Sequence, residues 1–163
     1  AFSNAAVELA HRHDPKVIIE ANAAGKEVEC SILGHSELVA SVPGEILAHA
    51  DWYDYEAKYS EGGMDLRVPA EISKAATERV QELAQRMFRL TGCSGMARCD
   101  FFVGEGGEEE DVLVNELNTI PGFTATSVYG RLLDASGIPY PELCDRLVRL
   151  ALERHTDVRG YEF

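Results

Sequence analysis

The period of apolar positions changes several times along the chain, and each change marks an element. Ala5, Ala6, Leu9 and Ala10 recur at helical spacing over residues 4–12 until Asp14-Pro15 stops the pattern. KVIIEA (16–21) reads as a short apolar strand, and a turn with Gly25 leads into EVECSIL (27–33), an alternating strand. LVAS continues as a further strand and ends at Pro43-Gly44. Residues 49–63, HADWYDYEAKYSEGG, mix aromatics and charges without a clean period. They read as a long loop, and loops of that length are more often functional than short ones.

The clearest helix is SKAATERVQELAQRMFRLTG (73–92). Val80, Leu83, Ala84, Met87, Phe88 and Thr91 form one stripe, Ser73 can cap the start and Gly92 can end it. MARCDFFV (96–103) and DVLVNELN (111–118) predict two strands around the turn GEGGEEE. GRLLDASG (130–137) and PELCDRLVRLALER (141–154) predict closing helices, the second with Pro141 in its first turn. No internal repeat or low-complexity linker breaks this order, so it implies one α+β unit.

Composition narrows the classes of function. The 163 residues carry 15 Lys and Arg against 28 Asp and Glu, a net charge of −13, where a nucleic-acid or anionic-membrane surface needs clustered cations. A small anionic ligand stays possible, because one or two lysines with a metal can hold a phosphate. Cys30, Cys93, Cys99 and Cys144 form no CxxC pair and sit among apolar neighbours, which predicts buried free thiols in a reducing compartment. With no secretory pattern and no long apolar span, a cytoplasmic location is expected. The chain opens on Ala1 directly in a helix-like pattern, which implies a cut chain or a missing preceding segment.

Alternation also assigns faces. Arg98, Asp100 and Phe102 should share one face of their strand, with Ala97, Cys99, Phe101 and Val103 on the other. In the next strand Glu116 and Asn118 should share a face with Val112 and Val114. Pairing across the turn would bring Asp100 near Glu116 and Arg98 near Asn118. Two carboxylates so close require a proton or a cation between them, and hard oxygen donors suit Mg²⁺. The same spacing also suits a plain salt bridge from Arg98 to Asp100 or Glu116 on a solvated sheet face. The following loop, TIPGFTATS, adds the backbone N–H of Gly122 and the hydroxyls of Thr124, Thr126 and Ser127, which can donate to an anion or cap the next helix. In the long loop, Lys58 lies amid Tyr53, Tyr55 and Tyr59 and can close over a phosphate or be an ordinary surface lysine.

IIEANAAGKEVEC, WYDYEAKY, GMARCDFF and NELNTIPGFTATS, in this order and at these separations, resemble the C-terminal half of bacterial D-alanine–D-alanine ligases of the ATP-grasp superfamily. The likeness runs from about Val17 to Arg154 and includes PYPELCDRLVRLAL. It implies an ATP-grasp fold, an antiparallel sheet flanked by helices, comprising the C-terminal lobe and part of the central lobe. Residues 1–163 would then be an incomplete catalytic domain, without the N-terminal substrate-binding domain and the start of the ATP-grasp domain.

The resemblance also implies roles. Glu20, Ala21 and Ala23 would lie on the adenine-binding segment, where the family often has lysine at the position of Ala21, leaving a backbone contact there. Glu27 would bind the ribose, Trp52 would stand at the start of a lid, and Lys58 would touch the terminal phosphate. Asn115 and Glu116 would join the ATP site. Asp100, Glu116 and Asn118 would hold two Mg²⁺ ions, with Mn²⁺ as an alternative. Arg98 and the Gly122 N–H would polarise the reacting carbonyl, and Tyr59, Ser127 and Val128 would contact the substrate, Ser127 at the second D-alanine's carboxylate. The expected partners are ATP and D-alanine, with a homodimer in the full-length protein. The lid motif EAKY resembles the peptide-forming branch; a D-alanine–D-lactate-type ligase and a non-catalytic nucleotide-binding module are the alternatives.

Overall fold

A computed structural model describes residues 4–48, 64–104, 106–107, 109–124 and 126–161. The helix α1 (Asn4–His11) precedes the strands β1 (Lys26–Gly34), β2 (Leu38–Ala40), β3 (Gly44–Ala48) and β4 (Met64–Arg67). Helix α2 (Lys74–Leu90) leads into β5 (Gly95–Val103), and a 3₁₀ turn at Glu109–Asp111 leads into β6 (Val112–Asn118). Helices α3 (Val128–Ala135) and α4 (Tyr140–Arg159) follow. The sheet order is β4-β3-β1-β5-β6, with β2 also paired to β1, and every pairing is antiparallel. The α+β expectation holds.

The sheet is a middle layer between helices. One face meets α2, whose buried residues Ala76, Val80, Ala84 and Phe88 recur every fourth position and form a single seam. They pack on Val28, Cys30 and Ile32 of β1 and Ala97, Cys99, Phe101 and Val103 of β5. The small side chains of Ala76 and Ala84 let the helix approach closely, and each large buried side chain adds about 1.5–3 kcal/mol of burial. Ser73 caps α2 by accepting from the Ala76 N–H at 3.1 Å, and beyond its end the Cys93 N–H reaches the Phe88 carbonyl at 3.1 Å. Gly92 supplies the left-handed turn with φ 67°, as expected at that position.

The opposite face is divided. At the Gly34 end of β1, Leu33 is buried with Tyr129 and Leu133 of α3, Ile138, and Leu143 of α4. Over β3, Ile46 packs with Val128 and Leu132 of α3. The Tyr129 hydroxyl donates to the Ile32 carbonyl at 3.0 Å, and the Ser31 hydroxyl donates to the Tyr129 carbonyl at 3.1 Å. These two bonds fix α3 to the middle of the sheet. The rest of that face, toward the Lys26 end of β1, carries the polar residues.

Several expectations need correction. KVIIEA is not a strand: residues 16–21 are irregular, and Ile18 and Ile19 are exposed at 74% and 56%. A strand needs a neighbour to take its backbone hydrogen bonds, and none of the described strands pairs with this run. Past LVAS, Gly44 begins β3, and β3 and β4, not expected from the sequence, are too short to show a clear period. Thr91 lies outside the buried stripe, at the exposed end of α2. Of the thiols, all free, Cys30 and Cys99 are buried while Cys93 and Cys144 are only half-buried. The segment 49–63, read as a loop, lies outside the described residues.

Candidate functional site

The polar half-face is built by the register of three strands. Glu29 of β1 lies directly across from Asp100 of β5, and Ser31 lies across from Arg98. On the other side of β5, Asp100 pairs with Glu116 and Arg98 with Asn118, the register expected from the sequence. Pairing partners in an antiparallel sheet share a face, so Glu29, Arg98, Asp100, Glu116 and Asn118 converge.

A β-bulge makes this possible. The register steps from Asp100–Glu116 to Phe101–Val114, so Asn115 has no opposite residue. Val112 and Val114 therefore pair with Val103 and Phe101 on the α2 face, and do not share a face with Glu116 and Asn118 as simple alternation required. The packing agrees: Val112 and Leu117, at positions of opposite parity, both lie against the core beneath α2. Were Asn115 instead kept in an unbroken ladder with Val112 and Val114 facing α2, Glu116 would turn to their side and Leu117 away from it.

Arg98 is the centre of the group. Its Nε and Nη2 donate to Asp100 Oδ1 and Oδ2, both at 2.8 Å, a bidentate fork. Nε also lies 3.0 Å from Glu29 Oε2. Burial opposes the guanidinium's charge, but the hydrogen bond to Asp100 and the charges of Glu29, Asp100 and Glu116 outweigh it, raising its pKa above the ordinary arginine value. Glu29 and Asp100 are only 5% and 2% exposed, so the ion pair is not on a solvated surface. The salt bridge and the carboxylate cluster, two alternatives in sequence, coexist.

The Asn118 amide donates to Asp100 Oδ2 at 3.1 Å and to Glu116 Oε1 at 2.9 Å. Its NH₂ thus occupies the ground between two carboxylates that otherwise repel. Turning the amide over would present its oxygen to the same space, where it and the two carboxylates offer hard donors suited to Mg²⁺. No trio of His, Cys, Asp or Glu surrounds a metal-sized space among the described residues. The donor set is two carboxylates and an amide, and an ion there would complete its shell with water or ligand oxygens. The residues present fit such an ion.

The loop beyond β6 is tied down at its far end. Phe123 stacks obliquely on Tyr140 and Tyr129, with ring centroids 5.2 and 6.3 Å apart. Ser127 stands at the N-cap position of α3 but makes no side-chain cap bond to the helix; its hydroxyl instead accepts from the Thr124 N–H at 3.0 Å. That bond closes the loop on itself and leaves Gly122 exposed. Val128 is buried at 8% exposure against Ile46 and Leu132, so its side chain serves the core and only its backbone could meet a ligand.

The other expected residues are distributed unevenly. Glu27 lies on the same face of β1 as Glu29, two residues closer to the strand start. Glu20 and Ala21 are exposed in the irregular segment, and Ala23 is partly buried. Trp52, Lys58 and Tyr59 lie outside the described residues. One recessed cleft of the described surface is lined by Ser94, Leu147 and Arg154 and includes none of these residues. Glu29 was missed in sequence. Its signal was an acid at an alternating position of a strand whose every later residue is buried.

The family described as D-ala D-ala ligase C-terminus matches residues 3–149. Among curated relatives, the D-alanine–D-alanine ligase of Caldicellulosiruptor bescii is 41% identical over 158 residues, which are 97% of this chain and 43% of that protein. The solved D-alanine–D-alanine ligase of Coxiella burnetii superposes with a TM-score of 0.80 at 39% identity, covering 95% of this chain and 40% of that one. The Bacillus anthracis enzyme complexed with ATP gives a TM-score of 0.75 at 29% identity, over 94% of this chain and 48% of that one. The chain therefore spans less than half the length of these relatives, and its sheet and helices are those of their C-terminal portion. On this evidence of sequence and architecture together, the chain belongs to the D-Ala–D-Ala ligase C-terminal domain family.

Proposed function

We propose that this chain is the ATP- and Mg²⁺-binding portion of a ligase that joins two D-alanines for peptidoglycan synthesis. The observation that carries the reading is the convergence of Arg98, Asp100, Glu116 and Asn118 on one face of the sheet. In this reading a first D-alanine carboxylate attacks the γ-phosphorus of ATP, giving an acyl phosphate and ADP. The amine of a second D-alanine then adds to the acyl carbon, and the tetrahedral intermediate collapses with loss of phosphate and a proton to form the dipeptide.

The chain's own part is to position and to neutralise charge. Asp100, Glu116 and Asn118 would hold Mg²⁺, two ions in our reading and Mn²⁺ in its place where available, with Asn115 beside them at the nucleotide. Bound Mg²⁺ would offset the phosphate charges, which this acidic chain cannot do alone. Arg98, with Nε and Nη2 engaged by Asp100, presents Nη1 to the developing oxyanion, joined there by the Gly122 N–H. Ser127, bound to Thr124, would turn its hydroxyl to the second substrate's carboxylate, with the Val128 backbone beside it. Glu27 would take the ribose hydroxyls, the segment Glu20–Ala23 the adenine, and Trp52, Lys58 and Tyr59 would supply the lid. No described helix is long and apolar enough to cross a membrane. We place the enzyme in the cytoplasm as a homodimer.

The test is phosphate release by the intact gene product with ATP and Mg²⁺, with D-alanine, with D-alanine plus D-lactate, or with neither. Release that depends on D-alanine supports the reading. Release without D-alanine dependence, or none, overturns it, and a D-lactate preference moves it to the depsipeptide-forming relatives. Glu116→Gln tests the metal role: Mg²⁺-dependent ATP affinity should fall by about tenfold or more with the loss of one ligand charge. Unchanged affinity would remove Glu116 from the metal site.

A further inference from the structure

The buried Glu29 has no part in the functional reading above, yet it faces the centre of the site. For the fold alone it is a poor choice. It stands directly opposite Asp100, 5% exposed, and like charges across a pair of strands repel. Asp100 already satisfies Arg98 in a bidentate fork, so a second carboxylate 3.0 Å from Nε adds charge where the pair needs none.

The cluster has a use for it once Asp100 takes a second task. Both Asp100 oxygens hold Arg98, and Oδ2 also accepts from Asn118. A cation drawing on that carboxylate weakens its grip on the guanidinium and repels it as well. Glu29 approaches Arg98 from β1, on the side away from Glu116 and Asn118 of β6, so its contact survives. We infer that Glu29 is the positioning residue for Arg98, the carboxylate that keeps the guanidinium in place while Asp100 is committed to the metal. This deepens the ligase reading and rests on it. The division of work leaves Arg98 fixed along the edge that carries Nε and aimed with Nη1.

Glu29→Gln in the intact gene product tests the inference, because glutamine keeps the shape and removes the charge. One readout is the solvent exchange of the Arg98 Nε–H by ¹⁵N NMR, without ligand and with Mg²⁺ and ADP. The wild type should keep that proton protected in both conditions. The variant should protect it without ligand but exchange about tenfold faster or more with Mg²⁺ and ADP, as expected for a guanidinium held by one shared carboxylate. The second readout is kinetic: kcat should fall by about tenfold to a hundredfold, the usual cost of a misplaced oxyanion donor, while KM for ATP holds within about threefold.

Equal protection in variant and wild type with Mg²⁺ and ADP overturns the inference, as does an unchanged kcat in an active enzyme. A parallel loss of ATP affinity and thermal stability would mark Glu29 as structural and overturn it too. Should the glutamine variant fail to fold, Glu29→Asp, which withdraws the charge by one methylene, should show the same ligand-dependent exchange to a smaller degree, and unaltered exchange there counts against the role. If the wild type shows no D-alanine-dependent turnover, the ligase reading fails on its own, and the exchange measurement still decides what Glu29 does.

Discussion

Replacing Arg98 by methionine isolates the electrostatics of the site. Methionine matches the aliphatic stem of arginine in length and removes the one cation that Glu29 and Asp100 share among the described residues. Those carboxylates, 5% and 2% exposed, would remain in a dry environment facing each other. Breaking a buried pair from one side costs about 3–5 kcal/mol, because the orphaned charge cannot recover its hydration. Here the Asn118 donation to Asp100 persists, which favours the lower half of that range. For a chain of this size each kcal/mol moves Tm by about 2–4 °C, so Arg98→Met should lower Tm by roughly 6–15 °C at pH 7.

The assay is thermal unfolding followed by circular dichroism, with a chelator present so that no divalent cation replaces the guanidinium. Adding Asp100→Asn to the variant should recover part of the Tm loss, because the second change removes half of the repulsive pair. A Tm change under about 2 °C, or no recovery in the double variant, would refute the argument that these charges are buried and mutually dependent.

Two further expectations concern the scaffold. Phe88, 1% exposed beneath the sheet, should cost about 3–5 kcal/mol on substitution by alanine, measured by urea unfolding, and a loss below 1 kcal/mol would mean the α2 seam is not packed as described. Burial pushes the Cys30 and Cys99 thiols up to about 12 from 9.0, with the Ser41 hydrogen bonds opposing it at Cys30 and neighbouring charges adding to it at Cys99. Both thiols bind their protons more tightly in the folded chain. Their stabilising contribution is therefore complete below pH 9 and lost as pH rises toward 12, by at most about 1.4 kcal/mol per pH unit for each. Urea midpoints should accordingly fall between pH 8.5 and pH 10.5, and a flat or rising midpoint would contradict the sign.

Local signals in the sequence determined much of this protein. The stripe from Val80 to Phe88 predicts α2 because one helical period places its residues on one side, and a Ser73 cap with a Gly92 stop needs only neighbouring backbone. Arg98 against Asn118 and Asp100 against Glu116 were also legible, since a hairpin's pairing follows from its strands and its turn. The motifs of the family were legible as well, because they are contiguous.

Tertiary structure decided what depends on neighbours distant in the chain. KVIIEA has strand composition but no strand to pair with among the described residues, and composition cannot supply one. The bulge at Asn115 reversed the faces of Val112 and Val114, because a single unpaired residue changes parity and nothing in VLVNEL announces it. Val128 went to the core rather than the open face once α3 was tied to β1 through Tyr129 and Ser31. Glu29 became part of the site only when β1 was laid beside β5, about seventy residues later in the chain, which put its carboxylate against Arg98. Periodicity reports the face of a single strand; which strands lie together, and hence which charges share a dry space, is set by packing of the whole sheet.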